Sequence, residues 1–419
     1  MKILLVNYRY FISGGPEKYM FNIKEKLEEE GHEVIPFSIH SNKNVETEYS
    51  KYFVEPIGSR DATYYDDYRK TPGTILQMIS RSVYSLSVKR AIKRAIAATK
   101  PDMVYILHFI NKLSPSVIKG AKEMGLPVVL RLSDYFLLCP RFDFLYQKKI
   151  CEDCLTHGYR SCIRKRCIKN SLSASLIRVF SMKVHKFLGV YKHLDAIIAP
   201  SRFLLHKLLA NGFEGSRINH IPTFTAGKEE AKEPTVGSYG LYFGRITEEK
   251  GVDTLIRAYE LLGKGYRLVV VGDDTTEEAY RLKEYVKEHG LEQITFTGFC
   301  SGAELSGIIQ NARFTLIPSI WYDNLPNTAL EAFQHYKPVL ASNIGSLPEL
   351  VIPGVNGYLF EAGNAVEAAA MIRSMEDDEL VRRMGFHSHQ LLKEQFSADR
   401  HYNDLIRLFH SLIPRNIPD

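Results

Sequence analysis

Three short stretches carry residues able to grip a diphosphate. The first is the loop Ser13-Gly14-Gly15-Pro16-Glu17, whose proline at 16 suits a first helical turn. Gly14 and Gly15 let the backbone approach a phosphate closely, and the following helix offers its positive N-terminus. A plain tight turn has the same look. The second stretch, Gly244 to Gly251 (GRITEEKG), holds two cations, Arg245 and Lys250. Fixed cations at the mouth of a cleft can neutralise the charge that develops on a leaving diphosphate. Two solvated charges in a strand-to-helix loop are the plainer alternative. The third stretch is residues 318–332 (PSIWYDNLPNTALEA). A helix begins near Pro326, so the free amides of Asn327 and Thr328 can point at a phosphate. Glu331, one turn further in, is placed to accept bonds from ribose hydroxyls, and Asp323, on the loop, to hold a sugar hydroxyl. A helix-start acid favoured by the dipole and an Asp that caps a turn fit the same letters.

A fourth cluster points to metal or thiol chemistry. Five of the six cysteines fall between Cys139 and Cys167. Cys151-x2-Cys154 followed by Cys162-x4-Cys167 has a spacing able to close a tetrahedral thiolate zinc site, with Cys139 as a substitute ligand. Such a zinc would be structural, because an all-thiolate site leaves no open position for substrate. Free thiols in a local loop are the other reading. Cys300 stands apart and reads as a packed residue.

The elements that must position these groups alternate between strand and helix. Apolar runs at residues 2–6, 33–39, 103–107, 128–132 and 196–199 read as strands, each joined to the next through a helical pattern. Strand, glycine loop, helix, strand is the opening of a right-handed parallel unit. A second series has strands at residues 240–243, 267–271, 294–296, 314–318 and 338–341. Between them lies a polar, Gly- and Pro-broken segment. The expected organisation is therefore a first domain over 1–224 with an insertion at 139–170, and a linker at 225–238. A second domain follows at 239–390, and a terminal helix at 391–419 returns to the first. Two such α/β domains, each a doubly wound parallel sheet, would bring the carboxyl ends of their strands to one central cleft, where open sheets bind ligands.

Bulk properties narrow the function classes. The 419 residues are 45% hydrophobic and 24% charged, which matches an ordinary globular chain rather than a disordered one. No apolar run approaches the roughly 20 residues that span a bilayer. The opening MKILLV runs too quickly into polar residues to be a signal peptide, so a cytoplasmic location is expected. The net charge of +6 is concentrated: between Asp153 and Asp195 there are nine Lys or Arg and no acid. Nucleic acid and an anionic membrane surface both suit such a segment; the reading adopted is a membrane, with the chain peripheral on its inner face, and no nucleic acid. Leu172, Leu176, Phe180, Val184, Phe187 and Tyr191 recur there at helical spacing. They read either as a core-facing stripe with a solvated basic face or as a helix that rests on anionic headgroups beside an acceptor entrance.

Taken together and in order, these motifs resemble the retaining glycosyltransferases of the GT-B fold, family 4. The resemblance covers nearly the whole chain. It rests on the glycine loop, the G-R-x4-K-G segment and the acid-x7-acid motif that enters an E-A helix. Lys337-Pro338-Val339, Gly345-Ser346-Leu347-Pro348-Glu349 and Asn356-Gly357 extend it. It implies two Rossmann-like domains and transfer of a sugar from a nucleotide donor, a UDP- or GDP-sugar above all, to a hydroxyl of a glycan or lipid-linked acceptor. By resemblance Gly14 and Gly15 contact the donor diphosphate or the acceptor. Gly244, Arg245 and Lys250, with Asn327 and Thr328, surround the diphosphate. Glu331 holds the ribose, Asp323 the donor sugar, and Gly298-Phe299 border the base. The family needs no catalytic metal or other cofactor and keeps the anomeric configuration by front-side attack.

Two departures stand out. The family usually carries Glu at the position of Asp323, about 1.5 Å longer in reach. Many members also have a His-Asp pair where this chain has Ser133-Asp134. His108, at the end of the preceding strand, could face the cleft on the acceptor side in its stead, or be a satisfied structural histidine. The alternatives to transfer are a sugar-nucleotide epimerase of the same fold and a non-catalytic carbohydrate-binding scaffold of a polysaccharide assembly. The glycine fingerprint of a dinucleotide oxidoreductase is missing.

Overall fold

A computed structural model describes residues 1–58, 71–225, 233 and 235–413. Most of the expected linker, 226–232 and 234, lies outside the described residues. The strands are β1 (Lys2–Asn7), β2 (Glu33–Phe37), β3 (Met103–His108), β4 (Val128–Arg131), β5 (Leu145–Tyr146), β6 (Lys149–Ile150), β7 (Ala196–Ala199) and β8 (Ile218–His220). In the second half follow β9 (Gly240–Phe243), β10 (Leu268–Val271), β11 (Ile294–Gly298), β12 (Phe314–Ile317), β13 (Val339–Ser342) and β14 (Gly357–Phe360). They build two six-stranded sheets, ordered β2-β1-β3-β4-β7-β8 and β11-β10-β9-β12-β13-β14, plus the small β5-β6 hairpin. All pairs within the two large sheets are parallel. Parallel strands covered on both faces need apolar side chains on both, which is why β1 reads ILLV without alternation.

Helices of the first half are α1 (Gly15–Glu29), α2 (Pro72–Val83), α3 (Leu86–Thr99), α4 (Ser116–Lys122), α5 (Asp153–Thr156), α6 (Arg160–Arg164), α7 (Leu172–Phe187) and α8 (Arg202–Ala210). The second half adds α9 (Val252–Leu262), α10 (Glu277–Glu288), α11 (Gly302–Gln310), α12 (Asn327–Gln334), α13 (Leu347–Leu350), α14 (Ala365–Arg373), α15 (Asp378–Gln395) and α16 (Ala398–Leu412). Helix α1 starts at the glycine loop with Pro16 in its first turn and buries Tyr19, Met20, Ile23 and Leu27 on one face. None of the described helices is long and apolar enough to cross a membrane.

Helix α16 packs on the first sheet rather than the second. Leu405 and Phe409 join Ile3, Leu5 and Tyr105 in one buried cluster. His401 Nε2 meets the Tyr19 hydroxyl at 2.9 Å, its Nδ1 meets the Pro222 carbonyl at 2.6 Å, and its ring stacks on Phe224. Helix α16 thus locks onto α1, whose own N-terminus carries the glycine loop.

Of the two readings of the α7 stripe, the core-facing one holds for Tyr191, which packs against the first-domain core, and is corrected for four of its members. Leu172, Leu176, Phe180 and Phe187 point outward, Phe180 at 59% and Phe187 at 90% exposure. The buried face is instead Ser175, Arg178, Val179, Ser181, Met182 and His185. Its polar members are individually satisfied. Arg178 donates to the carbonyls of Pro140 and Phe136, Ser181 donates to the Ser82 carbonyl, and His185 Nε2 lies 2.7 Å from the Val83 carbonyl. Burying these groups is tolerable because none is left without a partner.

Phe409 has no exposure, and truncating it opens a cavity between α16 and β3. Phe409→Ala is expected to cost about 3–5 kcal/mol in denaturant unfolding followed on the first domain.

Candidate active site

The candidate groups gather at two places, where strand order reverses in each sheet. In the first sheet these are the carboxyl ends of β1 and β3; in the second, those of β9 and β12. At such a point neighbouring loops part in opposite directions and leave a crevice. Gly14 and Gly15 follow β1, His108 ends β3, Gly244 to Lys250 follow β9, and Asp323 lies in the loop after β12.

Lys250 and Asp323 form the floor of the second-domain side. Lys250 Nζ lies 2.6 Å from Asp323 Oδ2, with the two side chains 18% and 9% exposed. Ser319 Oγ donates to the same oxygen at 2.8 Å, and the Lys250 ammonium sits over the Trp321 ring, 5.3 Å from its centroid. The loops are held together by close backbone approach. Gly251 has φ 69°, and a Cβ there would lie 2.1 Å from the Pro318 carbonyl oxygen. Gly345 has φ 61° and packs against the backbone of Tyr322 and Asp323, while Ser346 Oγ donates to the Asp323 carbonyl at 2.8 Å. Arg245 does not join this pair. It stands at the rim, 64% exposed, and meets Glu249 at 3.2 Å. Gly244 lies beside Thr328, and Gly298 ends β11 next to Asp274, with the largely exposed Phe299 following it.

The two domains face each other across these loops. The Cβ position of Gly15 is 3.3 Å from Asn327 Nδ2, so the glycine loop lies against the N-terminus of α12. The amides of Asn327 and Thr328 belong to the first turn of α12, where no intrahelical acceptor exists. Lys18, one turn into α1, reaches across to Glu331 at 2.6 Å. The glycine loop is itself ordered by Arg9, which donates to Ser13 Oγ at 2.7 Å; Ser13 in turn donates to Glu17 at 2.9 Å. Burial raises the Glu17 carboxyl above its usual range.

On the first-domain wall, His108 Nε2 lies 3.8 Å from Asp134 Oδ2. An imidazole thus stands beside Asp134 although the preceding residue is Ser133, whose hydroxyl accepts from Arg131 at 3.4 Å. Burial, and then Arg9, push His108 down to about 4. Burial pushes Asp134 up to about 6, against the Phe136 amide it accepts and the nearby Arg178. Above that pH the pair is a carboxylate beside a neutral imidazole.

Several neighbours of this site had no role assigned from sequence, although Trp321, Tyr322 and Glu349 stand within the quoted motifs. The Tyr135 hydroxyl is buried and has no hydrogen-bond partner among the described residues. Burial, followed by the charges of Asp323 and Glu349, raises its pKa well above the usual value, so it remains a proton donor. The indole Nε1 of Trp321 is likewise buried without a partner. Tyr322 donates to Glu152 at 2.7 Å, and Glu349 accepts the Arg202 and Phe203 amides at the start of α8. An aromatic run around Asp323 was the one available signal for Trp321 and Tyr322. The partners of Glu152 and Glu349 are distant in sequence and left none.

The cysteine-rich insertion folds as the β5-β6 hairpin with α5 and α6. Cys139, Cys151, Cys154, Cys162 and Cys167 are all free thiols. Their thiols are near neighbours: burial first, and then the charges of Cys139, Cys167 and Cys151, raise the Cys154 thiol. Cys162 and Cys167 hydrogen-bond each other, which lowers Cys167 to about 7, while Cys151 Sγ accepts from Lys165 at 3.3 Å. Among the described residues no three His, Cys, Asp or Glu side chains are arranged to hold a metal ion.

Comparison with known proteins decides the family. Residues 13–225 match the family described as Glycosyltransferase Family 4, and residues 226–388 match Glycosyl transferases group 1. The chain is a family 4 glycosyltransferase. An uncharacterised protein of the cps region of Klebsiella pneumoniae is 24% identical to it over 397 residues, 90% of this chain and 95% of that one. An uncharacterised glycosyltransferase of Methanocaldococcus jannaschii is 27% identical over 163 residues, 39% of this chain and 45% of its own length. Among solved structures, Anabaena Alr3699/HepE in complex with UDP and glucose superposes with a TM-score of 0.68 at 16% identity, over 98% of this glycosyltransferase and all of that chain. The likeness extends over both domains, which establishes the GT-B architecture.

Two outcomes follow from the charge arrangement. Lys250→Ala strands the mostly buried Asp323 carboxylate and is expected to cost about 3 kcal/mol, whereas Arg245→Ala at the rim should stay within about 0.5 kcal/mol; denaturant titration of both variants separates them. Because its folded pKa is raised, Asp134 contributes stability that is present below its unfolded value of 3.8 and lost as pH rises through about 6. Asp134→Asn should therefore raise the unfolding temperature above pH 6 and leave it unchanged near pH 4.

Proposed function

We propose that this glycosyltransferase moves a hexose from a nucleoside diphosphate donor, with UDP the first candidate, to a hydroxyl of a glycan or lipid-linked acceptor with retention of configuration. The observation that carries the reading is the facing of Gly15 and the first turn of α12, with Lys250 at hand. Free amides, a helix N-terminus and a cation on one crevice form an anion site suited to a diphosphate. The complex of Anabaena Alr3699/HepE with UDP and glucose supports the base and the hexose.

On this reading each residue has a task. The α12 amides, Lys250 and the rim Arg245 stabilise charge on the departing diphosphate. Glu331 accepts the ribose hydroxyls, for which the Lys18 contact must give way or share. Asp323, held by Lys250 and Ser319, accepts a hydroxyl of the donor sugar, and the ring of Tyr135 meets Tyr322 beside it from the first-domain side. His108 and Asp134 line the acceptor side. Asp323 is already engaged by a cation and a hydroxyl, which makes it a poor nucleophile. That supports front-side attack, in which the acceptor hydroxyl gives its proton to the leaving phosphate and no covalent sugar–protein bond forms.

The test is a thermal-shift screen of the purified chain with UDP, GDP, ADP and dTDP and their sugar conjugates. UDP is expected to stabilise the wild type, and Glu331→Ala to weaken that binding by about tenfold or more, as loss of a charged hydrogen bond to ribose would. No stabilisation by any of these nucleotides, in a folded sample, would refute the donor assignment.

A further inference from the structure

The outward face of α7 carries four large apolar side chains in solvent. Leu172, Leu176, Phe180 and Phe187 recur at intervals of four, four and seven residues, which places them in one stripe along a helix. Exposing that stripe while burying Ser175, Arg178, Ser181 and His185 reverses the usual arrangement of a surface helix. The adjoining helix α2 extends the apolar area: Ile75 lies two turns from Ser82 on the α2 face that meets α7, and it too is exposed. An apolar surface of this extent on a folded domain calls for a partner.

Charge identifies the partner. Lys183 and Lys186 are exposed among the apolar residues, and Arg164, Arg166 and Lys192 on the flanking segments are exposed as well. No Asp or Glu occurs in α2, α3 or α7. Two copies of this face would set cation against cation, which opposes a symmetric dimer. Nucleic acid would answer the charges but leave the apolar stripe in water. A bilayer with anionic headgroups answers both: hydrocarbon takes the Leu and Phe side chains, and headgroups take the lysines.

We infer that α7 is a membrane-docking helix that lies in the interface of an anionic bilayer with Leu172, Leu176, Phe180 and Phe187 inserted. The same helix holds the acceptor wall from within. Arg178, on its inward face, donates to the Phe136 and Pro140 carbonyls of the loop that begins at Asp134. Docking would therefore bring the first-domain side of the cleft close to the membrane surface. That last consequence rests on the transfer reading; the docking itself does not.

The experiment is sedimentation of the full chain with vesicles of phosphatidylcholine alone or of phosphatidylcholine mixed with phosphatidylglycerol, at low and high salt. The wild type should pellet with the anionic vesicles at low salt and stay in solution with phosphatidylcholine alone. Two variants probe the two halves of the surface. Leu176→Gln with Phe180→Gln should lower the partition coefficient by about tenfold or more with an unchanged unfolding temperature. Lys183→Glu with Lys186→Glu should do the same and remove the salt dependence. Phe187→Gln, at a position almost wholly in solvent, serves as a variant that does not threaten folding. Wild-type protein that ignores anionic vesicles, or variants that bind as well as wild type, would overturn the assignment. So would sedimentation velocity showing a dimer that Phe180→Gln dissolves, or tight binding of an oligonucleotide that survives the apolar substitutions. UDP stabilisation measured on the same variants should be unaffected, so failure of docking and failure of the transfer reading show up separately.

Discussion

The pairing of Lys250 with Asp323 ties the loop after β9 to the loop after β12, and the arrangement of the cleft depends on it. With at most a fifth of either side chain exposed, neither charge can be kept without the other: a lone carboxylate or ammonium in that position would carry a desolvation cost of several kcal/mol. Ser319, the Trp321 ring and the close approach of Gly251 to Pro318 surround the pair and fix its geometry. A rigid ion pair of this kind is useful to an enzyme that must grip two things at once. On the transfer reading the ammonium has a second anion to serve, the donor diphosphate. As it turns toward that anion, Asp323 is released to accept from a sugar hydroxyl. The shorter Asp, where the family usually has Glu, is compatible with this because the carboxylate is drawn toward Lys250 rather than extended into open space.

The domains are joined by contacts of another kind. Carboxylates dominate the crossing: Glu331 meets Lys18, Glu349 accepts two amides at the start of α8, and Glu152 receives both Tyr322 and Lys207. Lys148 of the insertion hairpin adds an ion pair with Glu248. Partly exposed pairs like these contribute from about 0 to 1 kcal/mol each. Summed, they favour the facing arrangement without locking it, which suits a cleft that must admit a nucleotide and expel water before reaction. The insertion acquires a role here that its cysteines had obscured. Through Glu152 and Tyr322 it bears on the residue next to Asp323.

Much of the architecture was legible because parallel strands covered on both faces leave unbroken apolar runs: β1, β3, β7, β9 and β12 all announce themselves. Strand β8, whose sequence is INH, escaped because it is short and mixed in polarity; β14, GYLF, opens at Gly357 and lies like β8 at one edge of its sheet. The site was legible to the extent that it sits in local motifs. Gly15, Lys250, Asp323, Asn327 and Glu331 each belong to a stretch of a dozen residues or so, and the fold brings those stretches together at the reversal points of the sheets. What depended on distant pairing was not legible. The motifs that hold Glu349 and precede Tyr135 do not state that these two side chains share a field with Asp323. The cysteine spacing marks a local cluster, but spacing along a chain does not fix where thiols point, and the Lys165 contact with Cys151 is not written in it.

Helix α7 shows the limit most clearly. A hydrophobic period of four states that one face of a helix differs from the other; it does not state which face is inside. Turning α7 by half a revolution would bury four large apolar side chains, each worth about 1.5–3 kcal/mol. It would also pull Arg178 away from the carbonyls of Phe136 and Pro140, and Ser181 and His185 away from the end of α2. Those carbonyls belong to the segment that runs from Asp134 into the insertion, a stretch with little regular structure to satisfy its own backbone. A buried guanidinium with several donors can serve such a segment where leucine and phenylalanine cannot. The polar face is inside because the loop after Asp134 needs donors, and the apolar face is outside as the consequence. An energetic concession of that size on the surface is sustained when something covers the surface in use, and the cationic setting of α7 limits what that can be.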